Sequence, residues 1–250
     1  MDRREFLRKG GVLAAGTACA GALPWLPACS STTTTSTPSG EEGSSSECKY
    51  GMVVDLPKCR PGCTACLDAC RKENNVAYHG DPRWDVHLIR KVTVERTYPV
   101  QGPKKPMLLL CNQCDDPPCA QACPVQATYK RPDGIVVVDQ HRCIGCRYCM
   151  IACPYDARSF NYKESEEWPN HDRAKSMHGV PESCTFCAHR LDRGEKPACV
   201  EACEKVGAKV LSVGNLNDPE SRVSRLIRDN SVKALREDLG TKPKVFYIGL

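Results

Sequence analysis

The sequence predicts an α+β protein of two small pseudo-symmetric halves, with long loops and a C-terminal helix, assembled around groups that cysteine holds. Three observations predict it. Nineteen of the 250 residues are cysteine. The apolar fraction of 41% includes those cysteines; without them about a third of the chain is apolar, against roughly 45–50% in ordinary domains. Short β-branched runs alternate with cysteine-rich loops along the chain. So thin an ordinary core needs another source of cohesion, and cysteine is the available one.

Composition excludes several classes. The mean hydropathy is −0.44, and no apolar run approaches the ~20 residues of a spanning helix, so the chain is not a membrane bundle. Collagen-like and wholly disordered readings also fail on composition. The formal charge of +5 counts every cysteine as neutral. Outside the N-terminus there is no Lys/Arg block, so no nucleic-acid partner is expected.

Residues 1–28 read as a twin-arginine export signal. Arg3-Arg4 is followed by Phe6-Leu7, Arg8-Lys9 and a mild Gly/Ala stretch from Gly10 to Leu26. Two processing points are open. Ala18-Cys19-Ala20 is one; Leu26-Pro27-Ala28-Cys29 resembles a lipoprotein box that would leave Cys29 lipidated, although Pro27 is atypical there. Residues 29–47 read as a linker, with 12 Ser or Thr among the 17 residues from Ser30 to Ser46. The expectation is an exported protein, periplasmic or on the outer face of the cytoplasmic membrane.

From Cys59 onward sixteen cysteines form four quartets. The first is Cys59, Cys63, Cys66 and Cys70. The second is Cys111, Cys114, Cys119 and Cys123. The third is Cys143, Cys146, Cys149 and Cys153. The fourth is Cys184, Cys187, Cys199 and Cys203. Each ends in Cys-x3-Cys, and the third, followed by Pro154, matches the bacterial C-x2-C-x2-C-x3-C-P iron–sulfur run. A cubane offers four iron corners, each taking one thiolate. Cysteines three apart in a tight loop reach three corners. The fourth, expected at the start of a helix and pointing away, serves the other cluster of a pair. Disulfides are the usual use of cysteine after export, but they do not call for repeated quartets. Zinc is the stronger rival, since Cys-x2-Cys pairs also bind it, and a structural zinc module stays open as an alternative. The first quartet departs from the pattern: Arg60-Pro61-Gly62 separates Cys59 from Cys63, so that loop must be wider, and a 3Fe cluster or no cluster is an alternative there. Cys48 has no motif and reads as a bystander thiol.

Strands are expected at Met52–Val54, Leu108–Leu110, Ile135–Val138, Lys209–Val213 and Lys244–Leu250. Short helices are expected around Ala65–Lys72, Cys146–Ala152 and Pro197–Lys205. Strand, cysteine loop, helix and strand make a ferredoxin-like unit, present twice. Pro219–Leu239 reads as the C-terminal helix, ended by Gly240, with Val223, Leu226 and Ile227 on its packing face. Phe160–Ser183 reads as a polar, solvated insert.

The four quartets resemble the four-cluster ferredoxin-like subunits of membrane-bound redox complexes, the group of the dimethyl sulfoxide and polysulfide reductase electron-transfer subunits. The resemblance covers nearly all of the chain after the signal. It implies two ferredoxin-like (4Fe–4S) domains. One comprises residues 48–100 plus 180–250 with the first and fourth motifs; the other comprises 101–179 with the second and third. It implies that Cys59, Cys63 and Cys66 share a [4Fe–4S] cluster with Cys203. Likewise it groups Cys184, Cys187 and Cys199 with Cys70, Cys111, Cys114 and Cys119 with Cys153, and Cys143, Cys146 and Cys149 with Cys123. Arg3-Arg4 and the segments 111–119 and 141–149 are most similar to the DsrO-type subunits of the DsrMKJOP complexes of sulfur-metabolising microbes. The implied partners are an integral-membrane, quinone-interacting subunit and, as a further candidate, a multihaem cytochrome.

The expected function is single-electron relay rather than catalysis at a site of the chain's own. Fully cysteine-ligated clusters leave no open iron for a substrate, and the histidines are scattered without a nucleophile–base set. The first 28 residues hold four basic and two acidic side chains, leaving +3 of the formal charge on the rest. Four all-cysteine cubanes at roughly −2 each would make the loaded chain acidic.

Overall fold

Strand β1 (Tyr50–Asp55) lies inside the largest sheet, buried along nearly its whole length. It belongs to a computed structural model that describes residues 48–250. The segments read as export signal and linker, and Cys29 with them, lie outside the described residues. Met52, Val53 and Val54 form a continuous apolar run, which suits a strand covered on both faces. β1 pairs in parallel with β10 (Val245–Ile248) and antiparallel with β8 (Leu211–Asn215), placing Val53 between Phe246 and Ser212. β9 (Val232–Ala234) adds to β10, giving the order β8-β1-β10-β9.

Three two-stranded ladders complete the β structure. They pair β2 (Ile89–Val94) with β3 (Lys105–Leu110), β4 (Thr128–Lys130) with β5 (Val136–Val138), and β6 (Ser159–Phe160) with β7 (Pro181–Glu182). The helices are short: α1 (Ala65–Glu73), α2 (Pro118–Gln121), α3 (Tyr148–Ile151), α4 (Ala188–Leu191), α5 (Ala198–Lys205) and α6 (Arg222–Asp229). α1 and α5 pack on each other. Glu73 on α1 accepts from Arg190 Nη1 at 3.1 Å and pairs with His189 Nε2 at 2.7 Å, while Arg190 Nη2 reaches Glu201 on α5 at 2.6 Å. One ionic network thus ties α1, α4 and α5.

The mixed α and β content agrees with the sequence expectation. The described residues belong to one compact unit with a shared core. That core joins Met52, Val54, Cys70, Cys199 and Cys203 to Leu108, Cys111 and Ile135. Cysteine supplies the apolar bulk that the composition lacks.

Several sequence expectations need correction. The C-terminal helix does not run from Pro219 to Leu239. It is capped by Ser221, whose Oγ accepts from Ser224 N at 3.1 Å, and it stops at Asp229. Asn230 is extended, and Val232–Ala234 gains more by pairing with β10 than it would by continuing a helix. Val223 alone of its expected stripe is fully buried; Leu226 and Ile227 are half-buried. The helix expected at Cys146–Ala152 is a single turn. Phe160–Ser183 is largely exposed between its ends, as expected of a solvated insert, but it is pinned: Asn75 Nδ2 donates to Asn170 O at 2.8 Å, Asn170 Nδ2 donates to Glu73 O at 3.0 Å, and Asn161 is fully buried. Strands β2, β4, β6, β7 and β9 and helices α2 and α4 were not expected.

Tyr247 on β10 is fully buried and donates its hydroxyl to Leu108 O at 3.0 Å, joining the main sheet to β3. Tyr247→Phe leaves that buried carbonyl unpaired. It should cost about 1–2 kcal/mol, read as a lower anaerobic thermal midpoint with unchanged metal content.

Candidate metal centres

Each cysteine loop is delivered by a regular element. β1 passes through one 3-10 turn (Leu56–Lys58) to Cys59, whose N–H returns to Leu56 O at 2.9 Å. β3 runs directly into Cys111 and β7 ends just before Cys184. After β5, Asp139 Oδ1 accepts from the N–H groups of His141 and Arg142 at 3.0 and 3.2 Å, an Asx turn that aims the chain at Cys143. Within that loop Gly145 has φ +69°, and an added Cβ would run into Gly179 O, so glycine is required there.

The third and fourth cysteines of the first and fourth quartets share one helix each. Cys66 and Cys70 lie on α1, and Cys199 and Cys203 on α5. Cys123 and Cys153 instead follow α2 and α3 in turns. The expectation that the fourth cysteine of the third quartet, Cys153, opens a helix is therefore corrected. The third cysteine opens the helix; the fourth lies one turn further on.

The thiols gather across quartets. Cys66 is pushed up to about 11 by burial and by the neighbouring thiols of Cys203, Cys59 and Cys63. Burial raises Cys199 strongly, with Cys70, Cys184 and Cys187 next to it. Cys184 is raised by burial and by the same Cys70 and Cys187. Cys111 is pushed up to about 12 by burial, with Cys119 and Cys153 nearby, and Cys114 is raised by burial with the same two neighbours. Burial also raises Cys149, which lies near Cys119 and Cys143. Cys123 is half-buried and Cys146 exposed. Burial acts to raise Cys123, but the N–H groups of Thr128, Val125, Ala127 and Gln126 outweigh it and leave the thiol below its ordinary value.

The described cysteines are all free of disulfides. Among the described residues no three His, Cys, Asp or Glu side chains converge as ligands of a single ion do. The thiols are nonetheless neighbours in sets drawn from two quartets. Their sulfurs also accept hydrogen bonds, from Val210 N to Cys203 at 3.2 Å, Ala127 N to Cys123 at 3.2 Å and Gly145 N to Cys143 at 3.4 Å. Asn74 Nδ2 lies 3.7 Å from both Cys70 and Cys187. Donors of this kind stabilise thiolate sulfur. Arg158, which sequence reasoning missed, is buried against Cys119, and its Nε has no partner in the protein. Buried sulfur donors beside an unpaired cationic N–H suit an anionic sulfur-bearing group.

The widened first loop closes. Pro61-Gly62 forms a turn, with Cys63 N returning to Arg60 O at 3.3 Å. Lys91 on β2 donates to Arg60 O at 2.5 Å and to Cys63 O at 2.7 Å. The ammonium of Lys91 also opposes the burial that raises Cys59. No motif marks Lys91, because its partners are backbone carbonyls 31 and 28 residues away. Cys48, expected to be a bystander, hydrogen-bonds with Tyr50 and helps to raise its hydroxyl, chiefly displaced by burial.

Comparison with known proteins agrees with this chemistry. Residues 107–214 match the family model described as a 4Fe-4S dicluster domain. The chain is 42% identical to Hdr-like menaquinol oxidoreductase iron-sulfur subunit 1 of Archaeoglobus fulgidus, over 100% of this chain and 98% of that one. It is 40% identical to a tetrathionate reductase subunit of Salmonella typhimurium, over 100% and 88%. It is 36% identical to a polysulfide reductase chain of Wolinella succinogenes, over 80% and 94%. The cofactors of the chain are [4Fe–4S] clusters.

Lys91→Met should release the 59–63 loop. The expected result is loss of one cluster, about four iron and four sulfide per chain, with the other spectroscopic signals unchanged. Unaltered iron content would show that the loop holds its shape without the clamp.

Proposed function

Because the chain belongs to the family of 4Fe–4S dicluster iron–sulfur subunits, we propose that it relays single electrons between a quinone-interacting membrane subunit and a second redox partner, through four [4Fe–4S] clusters. The observation that carries this reading is the exchange of cysteines between quartets. Cys203 lies with Cys59, Cys63 and Cys66; Cys70 lies with Cys184, Cys187 and Cys199; Cys153 lies with Cys111, Cys114 and Cys119. By the same rule Cys123 completes the set of Cys143, Cys146 and Cys149, of which Cys143 and Cys149 are neighbours. These four sets would be the ligands.

The bound clusters supply a one-electron change that needs no proton or open coordination site. The chain's residues supply the rest. α1 presents Cys66 and Cys70 four residues apart, about 6 Å along the helix axis, to two different sets. α5 does the same with Cys199 and Cys203. One helix therefore reaches two neighbouring redox groups, which keeps the hop between them short. Burial of Cys66, Cys70, Cys184, Cys199 and Cys203 excludes water from that pair. Backbone N–H groups and Asn74 donate to the sulfurs.

The quinone-linked partner is inferred from the printed name of the Archaeoglobus relative. The sulfur-linked names of the Salmonella and Wolinella relatives support placement in a sulfur-metabolism complex; the DsrMKJOP type, with a multihaem cytochrome as a further partner, rests on the resemblance of segments 111–119 and 141–149. A subunit of another exported respiratory reductase is the second reading, favoured by the same two names. Arg3-Arg4 and the segment ending at Cys29 support export by the twin-arginine route and attachment at the outer face of the membrane.

Membranes holding the intact complex, poised anaerobically with menaquinol and menaquinone at varied ratios, test the relay. The low-temperature EPR signals of the chain should track the quinone couple. Signals that respond to dithionite but never to the quinone couple would contradict it. Mass spectrometry of the mature N-terminus should find a diacylglyceryl group on Cys29; an unmodified start after Ala20 or Ala28 would end the lipid-anchor reading.

A further inference from the structure

Arg158 follows Cys153-Pro154-Tyr155-Asp156-Ala157 and precedes β6, yet only 3% of it is exposed. A buried guanidinium is normally neutralised by a carboxylate or saturated by oxygens. Among the described residues Arg158 has neither. Its Nη1 donates to Thr128 Oγ1 at 3.3 Å, its Nη2 to Cys119 Sγ at 3.3 Å, and its Nε has no partner. Burial alone would lower its proton affinity, but the thiols of Cys119, Cys111 and Cys149 hold it above the ordinary value. An arginine stays charged under all ordinary conditions.

The position of those three thiols gives the cation a role. Cys119 and Cys111 belong to the set completed by Cys114 and Cys153. Cys149 belongs to the set completed by Cys143, Cys146 and Cys123. Cys149 is close enough that the charge of Arg158 opposes the burial that raises its thiol. Cys119 and Cys149 pack together with Val136 in a small separate core. The guanidinium therefore sits where the two sets meet, hydrogen-bonded to a sulfur of one and beside a sulfur of the other, in a region that water does not reach. A positive charge there acts on both sets with little screening.

We propose that Arg158 is a tuning cation shared by the second cluster pair, raising the reduction potential of both members and easing the addition of an electron to one while the other is already reduced. The proposal rests on the relay reading above. Each hop takes one electron from one member of the pair and gives it to the other. No bond forms or breaks, and no proton moves, because Arg158 remains protonated throughout. Arg158 is thus a positioning and electrostatic residue rather than a ligand.

The test is an EPR-monitored redox titration of the full-length, cluster-loaded chain, with iron and sulfide counted on the same sample. Cys114→Ser and Cys146→Ser assign the two signals of this pair. In Arg158→Gln the reduction equilibrium of both should fall at least tenfold, about 59 mV per one-electron couple, while the other two signals stay in place. Arg158→Lys, which keeps the charge, should recover part of the shift. Thr128→Val, which frees Nη1, should move the same two signals by less. If Arg158→Gln loses clusters, the lysine and Thr128 variants decide the matter by the same two potentials. Unchanged potentials with full iron content would overturn the proposal, and so would an equal shift of all four signals. An unaltered chain without iron would overturn the relay itself, before the variants are compared.

Discussion

The thiols of this chain are buried where a thiolate is poorly tolerated. Cys70, Cys111, Cys184 and Cys199 are all raised by desolvation, and neighbouring thiols add to the shift of each. In an apolar interior such crowding is unfavourable unless a cationic group binds the sulfurs. Iron–sulfur clusters meet that need, and they explain why so small a share of ordinary apolar residues suffices. The core contains Cys66, Cys70, Cys111, Cys184, Cys199 and Cys203 as packing members. Loaded clusters would fill the space between them, so metal binding and folding are expected to be one event.

The rest of the architecture serves that arrangement. Strands bring the chain to each loop, and turns set the loop geometry: the Asx turn at Asp139, the glycine at 145, the Lys91 clamp on residues 60 and 63. Helices α1 and α5 then divide each outer quartet between two sets, while the Glu73–Arg190–Glu201 network keeps the helices together. Arg158 sits at the meeting point of the inner sets.

Much of the site was legible in the sequence because sulfur ligands announce themselves by spacing. The four quartets, the strands leading to Cys59 and Cys111, and helices α1 and α5 can be read from residues alone. What could not be read depends on partners far along the chain. Lys91 acts on carbonyls, Asn74 on sulfurs 4 and 113 residues away, and Arg158 on a thiol 39 residues back. The C-terminal helix failed for a related reason. Arg222–Asp229 follows local propensity, but Val232 answers to its pairing with β10. The same holds for Asn170, which reads as one more solvated polar residue of 160–183 and is spent on the end of α1.

The most direct measurement is iron, acid-labile sulfide and zinc per chain on anaerobically purified, matured protein. Four cubanes on sixteen cysteines require about sixteen iron and sixteen sulfide. Roughly two to four zinc with negligible iron, the content expected of structural sites built from four cysteines each, would contradict the relay and leave a zinc-bound interaction module.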